Sequence, residues 1–128
     1  MKCDLASFDS VRKFVNELEE FRCERPIDRF VCNAAVYQPT LSEAKWSEDD
    51  IEQQLQINFL SHFLMASLMI PKMRGAVKPR MVMVGSVTGN DNTVGGGGVY
   101  PIADLKELEG LAQGAKKVSA VILCEISF

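Results

Sequence analysis

The stretch FVCNAAVY, residues 30–37, decides how this chain folds. It opens with apolar residues, as a buried strand of a parallel sheet does, and Asn33, Ala34 and Ala35 follow where such a strand would end. In open parallel sheets, ligands bind outside the carboxyl ends of the strands. The stretch therefore predicts a strand that ends at a binding edge, where small side chains let a ligand approach the backbone closely.

A helix is predicted immediately before this strand. Ser7 is placed to act as its N-cap, and residues 4–6 have the pattern of the last residues of a strand. Apolar residues then recur every three or four positions, so that one face of the helix is expected to cover a sheet. These residues are Val11, Phe14, Val15, Leu18 and Phe21.

A second helix is predicted to begin at Ser47, with Asp50 three residues further on and Trp46 packed against the first helical turn. It continues to about residue 70 and is apolar around much of its circumference, which predicts burial. Strands are predicted at residues 27–32 and 81–85. The order strand–helix–strand–helix–strand is typical of an α/β fold with a parallel sheet and right-handed crossovers.

Composition excludes several classes of protein. The 128 residues allow one domain, and 47% hydrophobic residues are typical of a globular chain. With a net charge of −3 and no stripe of Lys or Arg, no nucleic-acid partner is expected. No apolar run reaches the roughly 20 residues of a membrane helix. Four cysteines without a Cys-x-x-Cys pair and a single histidine predict neither a metal site nor a disulfide framework.

Polar or small residues follow three predicted strands. Asp4 offers an acceptor for an adenine amino group, Asn33 begins the small-residue edge, and Ser86 places a hydroxyl where a reacting carbonyl or ring would lie. Each also has an ordinary structural explanation, as a helix-start acid, a turn former or a strand-end cap. Their recurrence at three successive strand ends favours the functional interpretation.

Asn58 lies among apolar residues of the second helix, where an amide is costly unless it is hydrogen-bonded. Two interpretations stay open. The amide lies at the rim of the helix or bonds back to a carbonyl, or it is buried and holds a water or kinks the helix beside an active site. His62, one turn later, is placed to join it, although a single helix histidine is more often structural.

Together these motifs resemble the short-chain dehydrogenase/reductase family, and within it the light-dependent protochlorophyllide reductase branch. Residues 33–35 (NAA) stand where many members have Asn-Ala-Gly, and residues 58–63 (NFLSHF) resemble the segment Asn-His-Leu-Gly-His-Phe. Residues 84–93 (VGSVTGNDNT) and 103–112 resemble stretches particular to that branch. The resemblance covers about residues 1–114.

The resemblance implies a partial Rossmann-type fold, a doubly wound parallel sheet of which this chain supplies the central part. The first two strands and the C-terminal part are then missing. Residues 1–114 would form a partial NAD(P)-binding domain, and residues 115–128 a divergent apolar tail. The uncovered edge of such a sheet is expected to favour oligomers.

The resemblance also implies an enzyme of chlorophyll biosynthesis. With NADPH it reduces photoexcited protochlorophyllide to chlorophyllide, in a chloroplast or in the cytoplasm of a cyanobacterium. The roles carried over are cofactor binding for Asp4, Asn33, Ala34 and Ala35, pigment binding for Tyr37, and catalysis for Ser86 and Asn58.

Two motifs of the family are missing from the 128 residues. The glycines at residues 95–98 do not fit the dinucleotide pattern Gly-x-Gly-x-x-Gly, because its last position would be Tyr100. No Tyr-x-x-x-Lys pair is present, since Tyr100 is followed by Asp104 and Tyr37 by Leu41. We therefore expect poor NADPH affinity and no activity of the fragment alone. Two alternatives remain: a non-catalytic pigment-binding or interaction remnant, and another enzyme of the family, such as a retinol-type one.

Overall fold

A computed structural model describes residues 1–23, 25–38 and 43–85 of the chain. Within them, helix α1 (Phe8–Arg22) precedes strand β1 (Arg29–Cys32). A long helical segment follows, and strand β2 (Arg80–Met83) comes after it. Ser86, the loop after it and the predicted apolar tail lie outside the described residues.

Helix α1 begins where the sequence predicted. Ser7 has an extended conformation, and its hydroxyl accepts a hydrogen bond from the backbone N–H of Ser10 at 3.4 Å. The helix ends at Cys23, which adopts the left-handed conformation with φ 49°. Val11 and Val15 are buried as expected, whereas Phe21 is 70% exposed, because the described residues do not cover the last helical turn.

The second helical segment begins later than predicted. Ser47 closes a turn instead, since its hydroxyl accepts the backbone N–H groups of Asp49 and Ile51, both at 3.2 Å. Asp50 then has φ 57°, which an α-helix cannot accommodate. The N-cap is Glu52, whose carboxylate accepts the N–H of Leu55 at 2.7 Å.

From there the segment is helical over 21 residues but changes type along its length. It comprises a short α-helix α2 (Gln53–Leu55), a π-helical turn (Gln56–Leu60), helix α3 (Ser61–Met69) and a 3₁₀ turn (Ile70–Met73). In the π-helical turn the N–H of Ser61 bonds to the carbonyl of Gln56, five residues earlier. None of the helices in the described part of the chain is long and apolar enough to span a membrane.

The two strands form the parallel sheet that the sequence predicted. Arg29 pairs with Arg80 and Cys32 with Met83, and the helical segment lies in the connection between the strands. One face of the sheet packs against the helices. Val31 and Val82 lie on the other face and are exposed within the described residues, so the burial expected for a strand of a parallel sheet holds there on one face only.

The strand expected at residues 4–6 is a turn. A strand requires a neighbouring strand for its backbone groups, and here those groups have other partners. The carbonyl of Leu5 accepts the hydroxyl of Ser61 at 2.6 Å, and the carbonyl of Ala6 accepts the N–H of Glu48 at 3.0 Å. Residues 4–6 are thus attached to the second helical segment rather than to the sheet.

The core lies between the two long helices and the sheet. Val11 and Val15 of α1 pack against Met65 and Met69 of α3. Phe30 and Met81 of the sheet are among the half-buried residues that contact this cluster. The core therefore fixes α3 in position, and α3 continues the helical segment that carries the polar side chains of the candidate site.

We expect Met69→Ala to lower the free energy of unfolding by about 2–5 kcal/mol, because it leaves a cavity at a side chain that is 1% exposed. Phe21→Ala is the matched control, since it removes a larger but exposed side chain, and we expect it to change stability by less than about 0.5 kcal/mol. Urea denaturation followed by circular dichroism measures both. Equal losses for the two variants would contradict the described core.

Candidate functional site

After β1 the chain runs on without entering a sheet or a helix. Residues 33–38 form this post-strand segment, and Asn33, Ala34 and Ala35 at its start are exposed. Backbone N–H and C=O groups that leave a sheet need new partners where they are partly buried. Here the second helical segment provides them.

Asn58 binds the middle of the post-strand segment with both atoms of its amide. Its Oδ1 accepts the N–H of Val36 at 2.8 Å, and its Nδ2 donates to the carbonyl of Val36 at 2.9 Å. The side chain thus replaces the two hydrogen bonds that a neighbouring strand would make to that residue. The partner differs from both interpretations above, because the half-buried amide bonds to a segment 22 residues earlier rather than to its own helix. Asn58 lies in the middle of the π-helical turn.

Two further side chains bind the segment on either side of this contact. The Oε1 atom of Gln54 accepts the N–H of Gln38 at 3.1 Å. The Nε2 atom of His62 lies 2.7 Å from the carbonyl oxygen of Ala34. Gln54 and His62 are both buried.

The three side chains at positions 54, 58 and 62 form what we call the polar row. Gln54 binds Gln38, Asn58 binds Val36 and His62 binds Ala34, so residues four apart on the helical segment contact residues two apart on the post-strand segment, which runs in the opposite direction. A π-helical turn lies within the row, and such turns occur frequently at functional sites.

The turn at residues 4–6 is held by the same part of the helix. Ser61, which is fully buried, donates its hydroxyl to Leu5, and the next residue, His62, binds Ala34. Two neighbouring residues therefore attach both segments for which a cofactor role was predicted. The sequence did not reveal this role of Ser61 or the contribution of Gln54. For Gln54 the available signal was its four-residue spacing from Asn58 and His62, whereas Ser61 does not share this spacing.

Asp4 is exposed and partly oriented by its own turn. Its Oδ1 atom accepts the N–H of Ala6 at 2.9 Å, and its own N–H donates to the hydroxyl of Ser10 at 2.9 Å. Tyr37 is exposed on the post-strand segment. The structure thus brings Asp4, residues 33–35 and Asn58 to one helical segment, whereas Ser86 lies outside the described residues.

A second network joins the loop before the helical segment to the N-terminus of α1. The carboxylate of Asp49 accepts the backbone N–H of Phe8 at 2.8 Å and the amide of Gln56 at 2.5 Å, and Gln56 in turn accepts the hydroxyl of Ser47. A carboxylate at the N-terminus of a helix is favoured by the helix dipole. This network holds α1, and with it the Asp4 turn, against the helical segment.

The pKa values of the two cysteine thiols near the site do not favour nucleophilic chemistry. Burial raises the pKa of the Cys32 thiol to about 11, so the thiol beside Asn33 is protonated at neutral pH. Burial and the nearby Asp4 carboxylate raise the pKa of Cys3.

Hydrogen bonds from Arg22 and Lys72 lower the pKa of Glu19 to about 2, in a contact between α1 and the 3₁₀ turn. Among the described residues, no group of three His, Cys, Asp or Glu side chains could hold a metal ion.

Comparison with known proteins defines the class. Residues 1–103 match the sequence profile of the short chain dehydrogenases, so the chain belongs to this family. It is 49% identical over 121 residues to the chloroplastic protochlorophyllide reductase of Marchantia paleacea, covering 92% of this chain and 26% of that protein. It is 46% identical over 116 residues to the protochlorophyllide reductase of Avena sativa, covering 89% and 36%.

A third relative is the chloroplastic protochlorophyllide reductase A of Arabidopsis thaliana, 47% identical over 116 residues, which cover 89% of this chain and 28% of that protein. The chain therefore spans between 26% and 36% of the length of these three relatives. These matches confirm the resemblance on which the sequence-based prediction relied.

We expect the thiol of Cys32 to react with iodoacetamide at least about a hundred times more slowly than that of Cys23 at pH 8, because burial and a raised pKa keep it protonated. Cys23 is exposed and serves as the internal control. Mass spectrometry of tryptic peptides measures the two rates, and the difference should vanish in urea. Similar rates in the folded chain would contradict the described burial.

We expect Asn58→Leu to lower the free energy of unfolding by about 1–3 kcal/mol, because it leaves both backbone groups of Val36 without their partner. Asn16→Leu on the exposed face of α1 is the matched control. Chemical denaturation of the two variants gives the comparison. If the control loses as much stability as Asn58→Leu, the contact with Val36 does not carry the effect.

Proposed function

We propose that this chain carries part of the cofactor site and the pigment-facing edge of a light-dependent protochlorophyllide reductase. In this reaction NADPH supplies the hydride that reduces protochlorophyllide to chlorophyllide, a step of chlorophyll biosynthesis. The names of the relatives support the substrate, and their chloroplastic location supports a plastid; a cyanobacterial cell remains the other setting. The family supports a nicotinamide cofactor.

One observation of the structure carries the proposal. Ser61 and His62 attach the turn at residues 4–6 and the post-strand segment to the same helical turn. An extended dinucleotide needs two such separated contact points, one for adenine and one for the ribose and nicotinamide end. Both segments are exposed at the residues assigned to the cofactor.

The residues present fit the cofactor. Asp4 is an exposed carboxylate whose Oδ1 is already oriented by Ala6, which suits it to accept a hydrogen bond from the adenine amino group. Ala34 and Ala35 place only methyl groups at the edge, so the ribose and nicotinamide can approach the backbone. Asn33 supplies an amide at the carboxyl end of β1.

Other residues would act on the substrate side. Asn58 keeps the post-strand segment in its extended form, and the exposed Tyr37 two residues after Ala35 presents a phenol ring to the pigment. Ser86 is proposed to place its hydroxyl beside the reacting ring. Because the 128 residues contain no Tyr-x-x-x-Lys pair, we expect them to bind NADPH weakly and not to complete the reaction alone.

A chimaera tests the proposal. Residues 1–85 of this chain would replace the corresponding segment of the Avena sativa protein, and illumination with NADPH and protochlorophyllide should then form chlorophyllide. A folded chimaera that binds the pigment without forming product would favour the interaction remnant instead. Reduction of retinal-type substrates only would favour another enzyme of the family.

In this chimaera we expect Asp4→Ala to raise KM for NADPH by about five- to tenfold, with little change in kcat. The reason is that the variant loses one hydrogen bond to the adenine. Asp9→Ala is the matched control, since Asp9 is an exposed acid in the first turn of α1. Steady-state rates at several NADPH concentrations measure the effect. An unchanged KM would contradict the proposed role of Asp4 in cofactor binding.

A further inference from the structure

We propose that Ser61 and His62 act as a positioning pair, which sets the separation between the two segments that hold the ends of the dinucleotide. The inference rests on the proposed function for the identity of the ligand. Its structural part, that the pair fixes both segments, stands on contacts within this chain.

The first step is the burial of the pair. Ser61 is 0% exposed and His62 is 6% exposed, although both carry polar side chains. Burying such groups is costly unless they are hydrogen-bonded. Each of them makes one short hydrogen bond to a backbone carbonyl, 2.6 Å for Ser61 and 2.7 Å for His62.

The second step is the sequence distance that these bonds span. Ser61 binds Leu5, 56 residues earlier, and His62 binds Ala34, 28 residues earlier. The two acceptors belong to separate segments. Because the donors are adjacent on one rigid helix, they fix where each segment lies relative to the other.

The third step is the tautomer of His62. A carbonyl oxygen only accepts hydrogen bonds, so Nε2 must carry the proton. The other ring atom, Nδ1, is buried and has no hydrogen-bond partner among the described residues. The contact with Ala34 therefore assigns the proton of the neutral ring to Nε2.

Two substitutions of His62 separate this contact from simple packing. A glutamine places its amide nitrogen near the position of Nε2, whereas an asparagine places its amide near that of Nδ1. His62→Gln should therefore keep the bond to Ala34, and His62→Asn should lose it. For Ser61 the variant is Ser61→Ala, and Ser67→Ala is the control, because the exposed Ser67 bonds only within its own helix.

Amide hydrogen exchange on the whole chain tests the structural part. His62→Asn should speed exchange at the N–H groups of Val36 and Gln38 by about five- to tenfold, and His62→Gln should not. Ser61→Ala should do the same at Ala6, and Ser67→Ala should not. Unchanged exchange in His62→Asn and Ser61→Ala would overturn the proposal.

The single histidine of the chain gives an independent signature. With ¹⁵N-labelled histidine at pH 8, one protonated and one unprotonated ring nitrogen should appear, with the proton on Nε2. A proton on Nδ1, or rapid exchange between the two tautomers, would overturn the contact. This measurement requires no variant, so it does not depend on whether His62→Asn folds.

Binding of NADPH, and of two mononucleotides that correspond to its two halves, tests the positioning itself. If the pair sets a separation, Ser61→Ala and His62→Asn should weaken NADPH by about tenfold while changing adenosine 2′-monophosphate and nicotinamide mononucleotide by less than about twofold. A purely structural defect would weaken all three, and that result would overturn the inference. If the unmodified chain binds none of them, the proposed cofactor role fails for this chain, and hydrogen exchange and the tautomer alone decide whether the pair fixes the two segments.

Discussion

The structure depends on which groups form hydrogen bonds with the backbone N–H and C=O groups after β1 ends. An extended segment that leaves a sheet keeps its polar groups but loses the strand that paired them, and a partly buried group without a partner costs about 1–3 kcal/mol. Asn58 pairs both groups of Val36, and the rest of the polar row pairs the residues on either side. The post-strand segment is therefore held by helix side chains bound to its backbone, and its own side chains do not take part in this contact.

This arrangement places two demands on one helical segment. Met65 and Met69 must be apolar to pack against α1, while Ser61 and His62 must be polar to hold separate segments. The helical segment meets both demands because its faces differ, and Asn58 of the polar row lies within the π-helical turn from Gln56 to Leu60. The apolar circumference predicted burial, which holds for Met65 and Met69, whereas Phe63 and Ile70 are each 54% exposed within the described residues. It also concealed the few polar residues that bind the other segments.

Local signals in the sequence were reliable where local interactions decide the structure. Ser7 caps α1, and the spacing of Val11 and Val15 predicted its buried face. Ser47 carried a similar capping signal, yet its hydroxyl closes a turn because Asp50 takes a left-handed conformation. A serine at the predicted start of a helix thus caps the helix at Ser7 but closes a turn at Ser47, where the left-handed backbone of Asp50 follows.

Long-range partners were beyond prediction from the sequence. The cost of a buried amide indicated that Asn58 must be hydrogen-bonded, but not that Val36, 22 residues earlier, is the partner. The strand expected at residues 4–6 was wrong for the same reason, since Ser61 occupies the carbonyl of Leu5. In both cases the hydrogen-bond partner lies far away along the chain, so it is determined by the tertiary fold and not by the local sequence.

The described part of the chain therefore supplies position rather than reactivity. The Cys32 thiol beside the post-strand segment is kept protonated by burial, and the buried Ser61 and His62 of α3 bind backbone carbonyls. Groups bound in this way cannot also transfer protons to a substrate without releasing the segments they hold. Hydride and proton transfer require groups set within about 0.5 Å of a productive geometry, which demands rigid support. A helix with two adjacent donors, anchored by a methionine and valine core, provides such support. In the proposed function, this support is what these residues contribute.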